Sequence, residues 1–119
     1  MADLYIGLMS GTSMDGVDGV LAEWTADSAL QVHAHVHLDF DPALAADLMA
    51  LNASGPDELH RAALAGNALA RRYADVVKAL LDRSGIPASS VRAIGAHGQT
   101  VRHRPQQFDG VGYTLQLNN

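Results

Sequence analysis

A turn rich in serine, threonine, glycine and aspartate is the stretch of this sequence best suited to chemistry. It lies between two short apolar runs and reads Gly7-Leu8-Met9-Ser10-Gly11-Thr12-Ser13-Met14-Asp15-Gly16-Val17-Asp18. Backbone amides in such a turn form a concavity that suits anions, of which phosphate is the commonest. Asp15 and Asp18 would repel a bare phosphate, but they fit one that arrives with Mg²⁺, which carboxylates hold directly or through its waters. The turn therefore predicts a nucleotide-phosphate loop on a β-hairpin.

Two better-known loop motifs do not match this turn. A Walker A loop needs Gly-Lys-Ser/Thr leading into a helix, whereas residues 7–18 contain no lysine and lead into a predicted strand. A nucleophile elbow needs Gly-x-Ser-x-Gly between strand and helix, and the run from Gly11 has Asp15 in its fifth position. An ordinary solvated hairpin turn remains an open alternative, because Asp-Gly is a common hairpin ending.

A second polar stretch follows the apolar run of residues 91–96. Small residues lead into His97, Gly98, Gln99 and Thr100, and the polar character extends to Pro105. In an α/β sheet, ligand crevices lie at the carboxyl ends of the strands, so residues 95–105 are predicted to form a ligand loop. An ordinary polar loop is the alternative. A hydrolase that uses Ser13 and His97 is disfavoured, because no orienting acid or elbow context is apparent.

Histidines alternate along another predicted strand. His33, His35 and His37 share one face, and imidazoles at this spacing could chelate a metal. No further histidine or carboxylate cluster in the sequence is marked as completing the ligand set. We therefore interpret the three histidines as the polar outer face of an edge strand.

The elements that must position these residues follow from the apolar patterns. Apolar runs predict strands over residues 4–8 and 17–24, and strict alternation predicts a third over residues 30–40. The inward residues of the third strand are Val32, Ala34, Val36, Leu38 and Phe40, and the outward ones are Gln31, His33, His35, His37 and Asp39. Three strands joined by short turns make an antiparallel meander. Residues 91–96 are reached through a helix, so they predict a strand parallel to its neighbour.

Two helices are predicted between the third strand and residues 91–96. Asp41-Pro42 is a typical helix start, and Leu44, Leu48 and Leu51 give a one-sided stripe over residues 42–52. A helical rhythm then continues over residues 57–84 and stops at Gly85. The residues of its apolar stripe are Leu59, Ala62, Ala63, Gly66, Leu69, Ala70, Tyr73, Val76, Val77, Leu80 and Leu81. A turn over residues 107–112 and a strand over residues 113–117 complete the prediction.

Composition limits the functional class. The 119 residues predict one domain or a piece of one, and a formal net charge of −5 argues against a nucleic-acid surface. The absence of cysteine excludes thiolate chemistry and fits a reducing compartment. No signal peptide or apolar run of membrane length is apparent, so we expect a soluble cytoplasmic protein without a membrane partner.

Two long motifs resemble those of the anhydro-N-acetylmuramic acid kinases. That family begins with a strand leading into Gly-Leu-Met-Ser-Gly-Thr-Ser-Met/Leu-Asp-Gly-Val-Asp, which residues 7–18 match. It also carries Ile-Gly-x-His-Gly-Gln-Thr-Val-Arg-His-x-Pro, matched by residues 94–105, and then Thr-Leu-Gln, as in residues 114–116. The resemblance covers the whole chain, but only about the first third of such an enzyme.

The resemblance implies a fold and a reaction. The fold is the ribonuclease-H-like, actin-like ATPase fold of sugar kinases, with residues 1–119 as the N-terminal part of its first domain. In this α/β half-domain, a three-stranded antiparallel meander is followed by a helix and a parallel strand. The family uses ATP and water to open the 1,6-anhydro ring of anhydro-N-acetylmuramic acid and to phosphorylate O6. The product, N-acetylmuramic acid 6-phosphate, feeds peptidoglycan recycling.

The resemblance also implies site residues. The ATP-binding segment maps onto Gly11, Thr12, Ser13, Met14, Asp15, Gly16, Val17 and Asp18, with Asp15 helping to hold Mg²⁺ or its waters. His97, Gly98, Gln99 and Thr100 are implied near the sugar or the transferred phosphate, while Arg102 and His103 are alternatively implied to brace that loop. The full enzyme is implied to be a homodimer.

Two departures from the family pattern qualify the resemblance. The family continues after Thr-Leu-Gln with Ile-Gly-Asp and a helix, whereas this sequence reads Leu117-Asn118-Asn119. The family's catalytic base, an aspartate in an Asp-Thr-Gly-Pro motif, has no counterpart in residues 1–119. We therefore expect a truncated half-domain that is inactive alone. The alternative is a non-catalytic nucleotide-binding or assembly module on the same half-domain.

Overall fold

A mixed four-stranded sheet forms the centre of the molecule, in a computed structural model that describes residues 3–11 and 13–118. The strands of this sheet are β1 (Asp3–Ser10), β2 (Gly16–Trp24), β3 (Leu30–Asp39) and β4 (Val91–Ala96), in the spatial order β3-β2-β1-β4. The helices are α1 (Pro42–Ala50) and α2 (Glu58–Ser84), with a short 3₁₀ turn at Ala88–Ser90. A separate hairpin joins β5 (Gln99–Pro105) to β6 (Gly112–Leu117).

The predicted meander and parallel strand are confirmed. β1 pairs antiparallel with β2, which pairs antiparallel with β3. β4 lies parallel to the other edge of β1, with Ile6 opposite Ile94. β3 runs in the same direction as β1, so the helical crossover from β3 to β4 joins two parallel strands, as the sequence pattern indicated.

The hydrophobic core lies between one face of this sheet and the helices. Ile6 and Leu8 of β1 and Leu21 of β2 are buried there against Leu69 and Leu80 of α2. Gly19 of β2 allows the close approach of the helix, because a Cβ atom at this position would collide with the Val76 side chain. Each large aliphatic side chain buried in this way contributes about 1.5–3 kcal/mol.

The alternation predicted for β3 is correct over only part of the strand. Ala34, Val36 and the following Phe40 are buried, but Val32 is 56% exposed. The β2–β3 register shifts at this point, since Leu21 pairs with Ala34 and Ala22 with Val32, so His33 is an extra residue in the ladder. A bulge changes the face on which the following side chains lie. The prediction that Val32 faces the core is therefore wrong.

Both helices were predicted nearly to their ends. The side chain of Asp41 caps α1 by accepting a hydrogen bond from the Leu44 amide at 2.8 Å. α2 ends at Gly85, which has φ 72° as expected for a glycine C-cap. The predicted apolar stripe of α2 is wrong at its first turns, because Leu59 is 89% exposed and Ala63 is also exposed. At this end the helix extends past the sheet core and lies beside β6.

The polar stretch predicted as a long ligand loop is mostly a strand. Residues 99–105 form β5, so the loop after β4 consists of His97 and Gly98. The pairing with β6 supplies the backbone hydrogen bonds of β5. The predicted turn over residues 107–112 and strand over residues 113–117 are confirmed to within one residue at their starts.

Candidate functional site

The two polar segments selected from the sequence meet at one edge of the sheet. β1 and β4 are parallel neighbours, so the turn after β1 and the loop after β4 start side by side. The His97 amide donates a hydrogen bond to the Leu8 carbonyl at 3.0 Å. The Ser10 hydroxyl donates to the Gly98 carbonyl at 3.2 Å. This edge is the carboxyl end of both strands, where α/β sheets bind ligands.

The turn between β1 and β2 has a closed end and an exposed rim. The Met14 amide donates to the Gly11 carbonyl at 3.1 Å, and Met14 adopts φ 54° with its side chain buried. Ser13 and Asp15 are exposed, and the Ser13 hydroxyl donates to the Asp15 carboxylate at 3.0 Å. Thr12 lies outside the described residues. The buried Met14 thus anchors a rim on which a hydroxyl and a carboxylate face solvent.

The last three residues of the predicted ATP-binding segment belong to β2. Gly16 packs against β3, where a Cβ would collide with the Leu38 carbonyl, and the Val17 side chain is fully buried. The Asp18 carboxylate lies on the exposed side of β2, 3.3 Å from His35 Nε2 and 3.0 Å from His37 Nδ1. Asp15 and Asp18 therefore have different surroundings, although they are close in sequence.

Gln99 joins the two segments from inside. Its side chain is fully buried, and its Nε2 donates to the Gly11 and Thr100 carbonyls, each at 3.1 Å. Within residues 3–11 and 13–118, the buried Oε1 atom has no hydrogen-bond partner. The first residue of the turn is thus held by a side chain of β5.

Two further residues in this region were not assigned from the sequence. The Tyr73 hydroxyl lies 3.4 Å from Ser10 Oγ, and Gln116 Nε2 lies 3.3 Å from both ring nitrogens of His97. Tyr73 carries a hydroxyl group in the otherwise apolar stripe of α2, and this polar group was the feature of the sequence that could have pointed to it. Gln116 is placed by its register opposite Thr100, and this pairing could be inferred only after β5 was known to be a strand.

Arginines of β5 attach the hairpin to the helices. Arg102 Nη2 donates to the Leu51 carbonyl at 3.0 Å and forms an ion pair with Glu58. The hydrogen bond from Arg102 to the Glu58 carboxylate lowers the pKa of Glu58 below its usual value. Arg104 Nη2 donates to the Asn52 carbonyl at 2.8 Å, while His103 bonds to Thr114 within the hairpin. The contacts of Arg102 are compatible with the bracing role implied for it, whereas His103 bonds inside the hairpin.

The histidines of β3 are exposed, as expected for a polar outer face, and each has a carboxylate partner. His33 pairs with Glu23, and His37 bonds to Asp39 at 2.9 Å as well as to Asp18. β2 places Asp18 between His35 and His37, a contact that the sequence pattern did not indicate. In the described part of the chain, no group of three or more His, Asp or Glu side chains has a geometry that could hold a metal ion.

The comparisons with known proteins agree with these motifs. A family model described as anhydro-N-acetylmuramic acid kinase matches residues 3–119. The chain belongs to this family. Its relatives carry the name of a kinase, so the anhydro-N-acetylmuramic acid kinase family is one of phosphotransferases.

Curated relatives are similar over almost the entire chain. The anhydro-N-acetylmuramic acid kinase of Variovorax paradoxus (strain S110) is 66% identical over 117 residues, which cover 98% of this chain and 31% of the relative. The enzyme of Albidiferax ferrireducens is 63% identical over 119 residues, which cover 100% of this chain and 30% of the relative. That of Bordetella petrii is 63% identical over 115 residues, covering 97% and 29%. The chain therefore spans less than a third of the length of these relatives.

No helix within residues 3–11 and 13–118 has the length and apolar character needed to cross a membrane.

Proposed function

We propose that this chain is the N-terminal part of an ATP-dependent kinase of 1,6-anhydro-N-acetylmuramic acid. The reaction adds water across the anhydro bridge and moves the γ-phosphoryl group of ATP to O6, giving N-acetylmuramic acid 6-phosphate and ADP. The observation that supports this most is the junction of the two family motifs at the carboxyl edge of β1 and β4. Their direct links include the Ser10–Gly98 and Gln99–Gly11 hydrogen bonds and the hydrogen bond from the His97 amide to the Leu8 carbonyl.

The turn after β1 is the proposed binding segment for the nucleotide phosphates. Its residues are Gly11, Thr12, Ser13, Met14, Asp15, Gly16, Val17 and Asp18. The buried Met14 fixes the turn, and the exposed Ser13 hydroxyl, which donates to Asp15 in this structure, would turn to donate to a phosphate oxygen. Positioning and charge neutralisation are most of what phosphoryl transfer requires from a protein.

Asp15 is the residue that suits Mg²⁺. Its exposed carboxylate accepts one hydrogen bond from Ser13 and is otherwise directed to solvent, so it can hold the ion or its waters. Mg²⁺ is commonly bound through one or two carboxylates together with substrate phosphates, which makes a single carboxylate sufficient on the protein side. The ion would neutralise charge on the phosphates.

The loop after β4 is the proposed sugar side of the site. His97 is exposed beside Gln116, and Thr100 is half-buried at the start of β5, so both present polar atoms near the turn. Gly98 is buried against β6 and shapes the loop. We place His97, Gly98 and Thr100 at or next to the anhydro sugar, and Gln99, whose side chain is fully buried, behind them.

The proposed fold is a ribonuclease-H-like, actin-like half-domain, with residues 1–119 as the N-terminal part of its first domain. The strand order β3-β2-β1-β4, antiparallel in the meander and parallel at β4, is compatible with that fold. We further propose a cytoplasmic enzyme that acts as a homodimer in its full-length form. Residues 1–119 contain no Asp-Thr-Gly-Pro motif, so we expect the 119-residue chain alone to be inactive.

The proposed function is tested with the full-length protein, Mg-ATP and the anhydro sugar. Mass spectrometry should detect N-acetylmuramic acid 6-phosphate with one oxygen derived from labelled water. Asp15→Asn should weaken binding of Mg-ATP by more than about tenfold, because it removes a charge from the proposed metal side. Asp18→Asn should have a smaller effect, since that carboxylate is paired with His35 and His37.

Asp27→Asn is the matched control, because Asp27 is an exposed carboxylate of the β2–β3 turn. It should bind Mg-ATP as the parent protein does. Nucleotide binding without turnover of the sugar would favour the non-catalytic module. No binding of Mg-ATP at millimolar concentration would contradict both functions.

A further inference from the structure

We propose that Gln99 is a positioning residue that acts through the Gly11 carbonyl. Its amide holds this carbonyl turned towards the protein and thereby keeps the turn after β1 receptive to phosphate. The inference rests on the proposed function, since it takes that turn as the phosphate-binding segment. It gives Gln99 a role on the nucleotide side, although its neighbours His97 and Thr100 lie on the proposed sugar side.

The orientation of the Gln99 amide follows from its neighbours. Both groups beside its nitrogen are carbonyls, those of Gly11 and Thr100, each 3.1 Å from Nε2. Carbonyls accept hydrogen bonds only, so the NH₂ group must face them. Both amide hydrogens are thus used, one towards the turn and one towards the backbone of β5.

The Gly11 carbonyl receives two donors. The Met14 amide approaches it at 3.1 Å from within the turn, and Gln99 Nε2 approaches it from β5. A carbonyl oxygen carries partial negative charge and would repel a polyphosphate if it faced the ligand. Two donors on the protein side occupy both of its lone pairs and keep it away from the anion.

The other end of the Gln99 side chain argues against a purely space-filling role. The side chain is fully buried, and Oε1 has no hydrogen-bond partner among the described residues. A buried acceptor without a partner is destabilising, whereas an apolar side chain of the same shape would avoid that cost. The function of the amide therefore lies with its nitrogen, which reaches the turn.

The neighbouring Ser10 offers a matched comparison. Its hydroxyl also links the two segments, by donating to the Gly98 carbonyl at 3.2 Å, whereas the hydrogen bonds to the Gly11 carbonyl come from Met14 and Gln99. Loss of the Ser10–Gly98 bond would weaken the contact between the turn after β1 and the loop after β4, but it would leave both hydrogen bonds to the Gly11 carbonyl in place. A comparison of Ser10→Ala with the Gln99 variants therefore separates a weaker contact between the two segments from a change in the orientation of the Gly11 carbonyl.

The decisive variant is Gln99→Glu, which has the same shape and a titratable group. A neutral glutamic acid can donate one hydrogen bond to the Gly11 carbonyl, whereas an ionised carboxylate repels it. We expect the Kd for Mg-ATP, relative to that of the parent at each pH, to rise by more than about tenfold at pH 8 and to return towards the parent value at pH 5.5. Gln99→Met should raise the Kd about three- to tenfold at every pH, because it lacks a donor in either state.

The measurement is calorimetric titration of the full-length parent, Gln99→Glu, Gln99→Met and Ser10→Ala between pH 5.5 and 8.5. The Kd of Ser10→Ala for Mg-ATP, divided by the Kd of the parent at the same pH, should not change with pH. The KM for the sugar should stay near that of the parent in Gln99→Met while the KM for ATP rises. An unchanged Kd for Mg-ATP in both Gln99 variants, or a rise in the sugar KM alone, would overturn the inference and leave the proposed function intact.

An NMR measurement on the unmodified protein covers the case in which the variants do not fold. The side-chain amide signals of Gln99 should shift when Mg-ATP is added and should stay in place when the sugar alone is added. The opposite pattern would contradict a role on the nucleotide side. A parent protein that binds no nucleotide would overturn this inference together with the proposed function.

Discussion

His37 carries a local pH dependence that can be assigned to named neighbours. Its pKa is raised above 6.5, first by the hydrogen bond to Asp18 and then by that to Asp39. A raised pKa in the folded state means that the pair stabilises the fold fully below pH 6.5. This stabilisation is lost as the pH rises through the higher, folded-state pKa. The other charged or titratable partner of Asp18 is His35.

We therefore expect the free energy of unfolding to fall slightly between pH 6 and pH 8, and this fall to be smaller in His37→Gln. The pair is exposed, so water and salt screen it and the effect will be small. Urea denaturation at both pH values, in low and high salt, is the measurement. An identical pH slope in the parent and His37→Gln would contradict the assignment.

Gly98 is required by its backbone conformation and by its neighbours. It has φ +84°, and a Cβ at this position would lie 2.6 Å from the Leu117 carbonyl oxygen. Gly98→Ala should therefore reduce the free energy of unfolding by about 1–3 kcal/mol, since both strain and a backbone clash are introduced.

Gly95→Ala is the control for this substitution. A Cβ at Gly95 meets no atom within 4 Å, and its φ is not in the left-handed region. Urea denaturation should show a change within about 0.5 kcal/mol for this variant. If Gly98→Ala reduced the free energy of unfolding no more than Gly95→Ala does, the loop after β4 would be shown to adapt to a side chain at residue 98.

At the scale of elements, the attachment of the β5–β6 hairpin depends on Glu58 of α2. The hydrogen bond from Arg102 lowers the pKa of Glu58 below 4.5. With a lowered folded-state pKa, the stabilising contribution is present above pH 4.5 and is lost as the pH falls through the folded-state value. Glu58→Gln should therefore lose less stability than the parent does between pH 5 and pH 2.

The measurement is urea denaturation across this pH range. Asp47→Asn, which changes an exposed carboxylate of α1, should keep the acid response of the parent. If Glu58→Gln shows the same acid response as the parent, the ion pair does not hold the hairpin. Hydrogen exchange of the β5 amides would show the local effect, because loosening of the hairpin should expose them first.

The elements differ in how far their sequence defined them. α2 was predictable because its apolar residues repeat with the helical period and Gly85 ends it. β5 was not, because five of its seven residues are polar or charged and its inward residues, Gln99 and Val101, become a buried pair only against the turn and helices. Similarly, the bulge at His33 depends on the pairing of β2 with β3, which the alternation within β3 does not contain.

The site shows the same division. The residue types of the turn predicted a phosphate loop without knowledge of the fold, and their exposure at Ser13 and Asp15 agrees with that role. The burial of Gln99 and its bond to Gly11 could not be foreseen, because they join residues from distant parts of the chain. Only the register of β1 beside β4 brings these residues together.

At the scale of the whole molecule, the two faces of the sheet are unequal. α2 covers the face that carries Leu8 and Leu21. The other face has a shallow concavity of about 630 Å³, and Trp24, one of its lining residues, is 52% exposed. Strands with a parallel neighbour are normally covered on both sides. Residues 3–11 and 13–118 thus form one covered face and one open face of a layered fold.

The bond between Ser10 and Gly98 also has a consequence for the order of folding. It joins residues 88 positions apart, so a large loop must close before it can form. The β1–β2 hairpin is local and can form early. Its turn meets the loop after β4 only when α2 has folded and β4 has paired with β1. We therefore expect the two halves of the site to come together late in folding, because the contacts that join them are long-range. Formation of that junction would therefore serve as a kinetic marker that the whole sheet has closed.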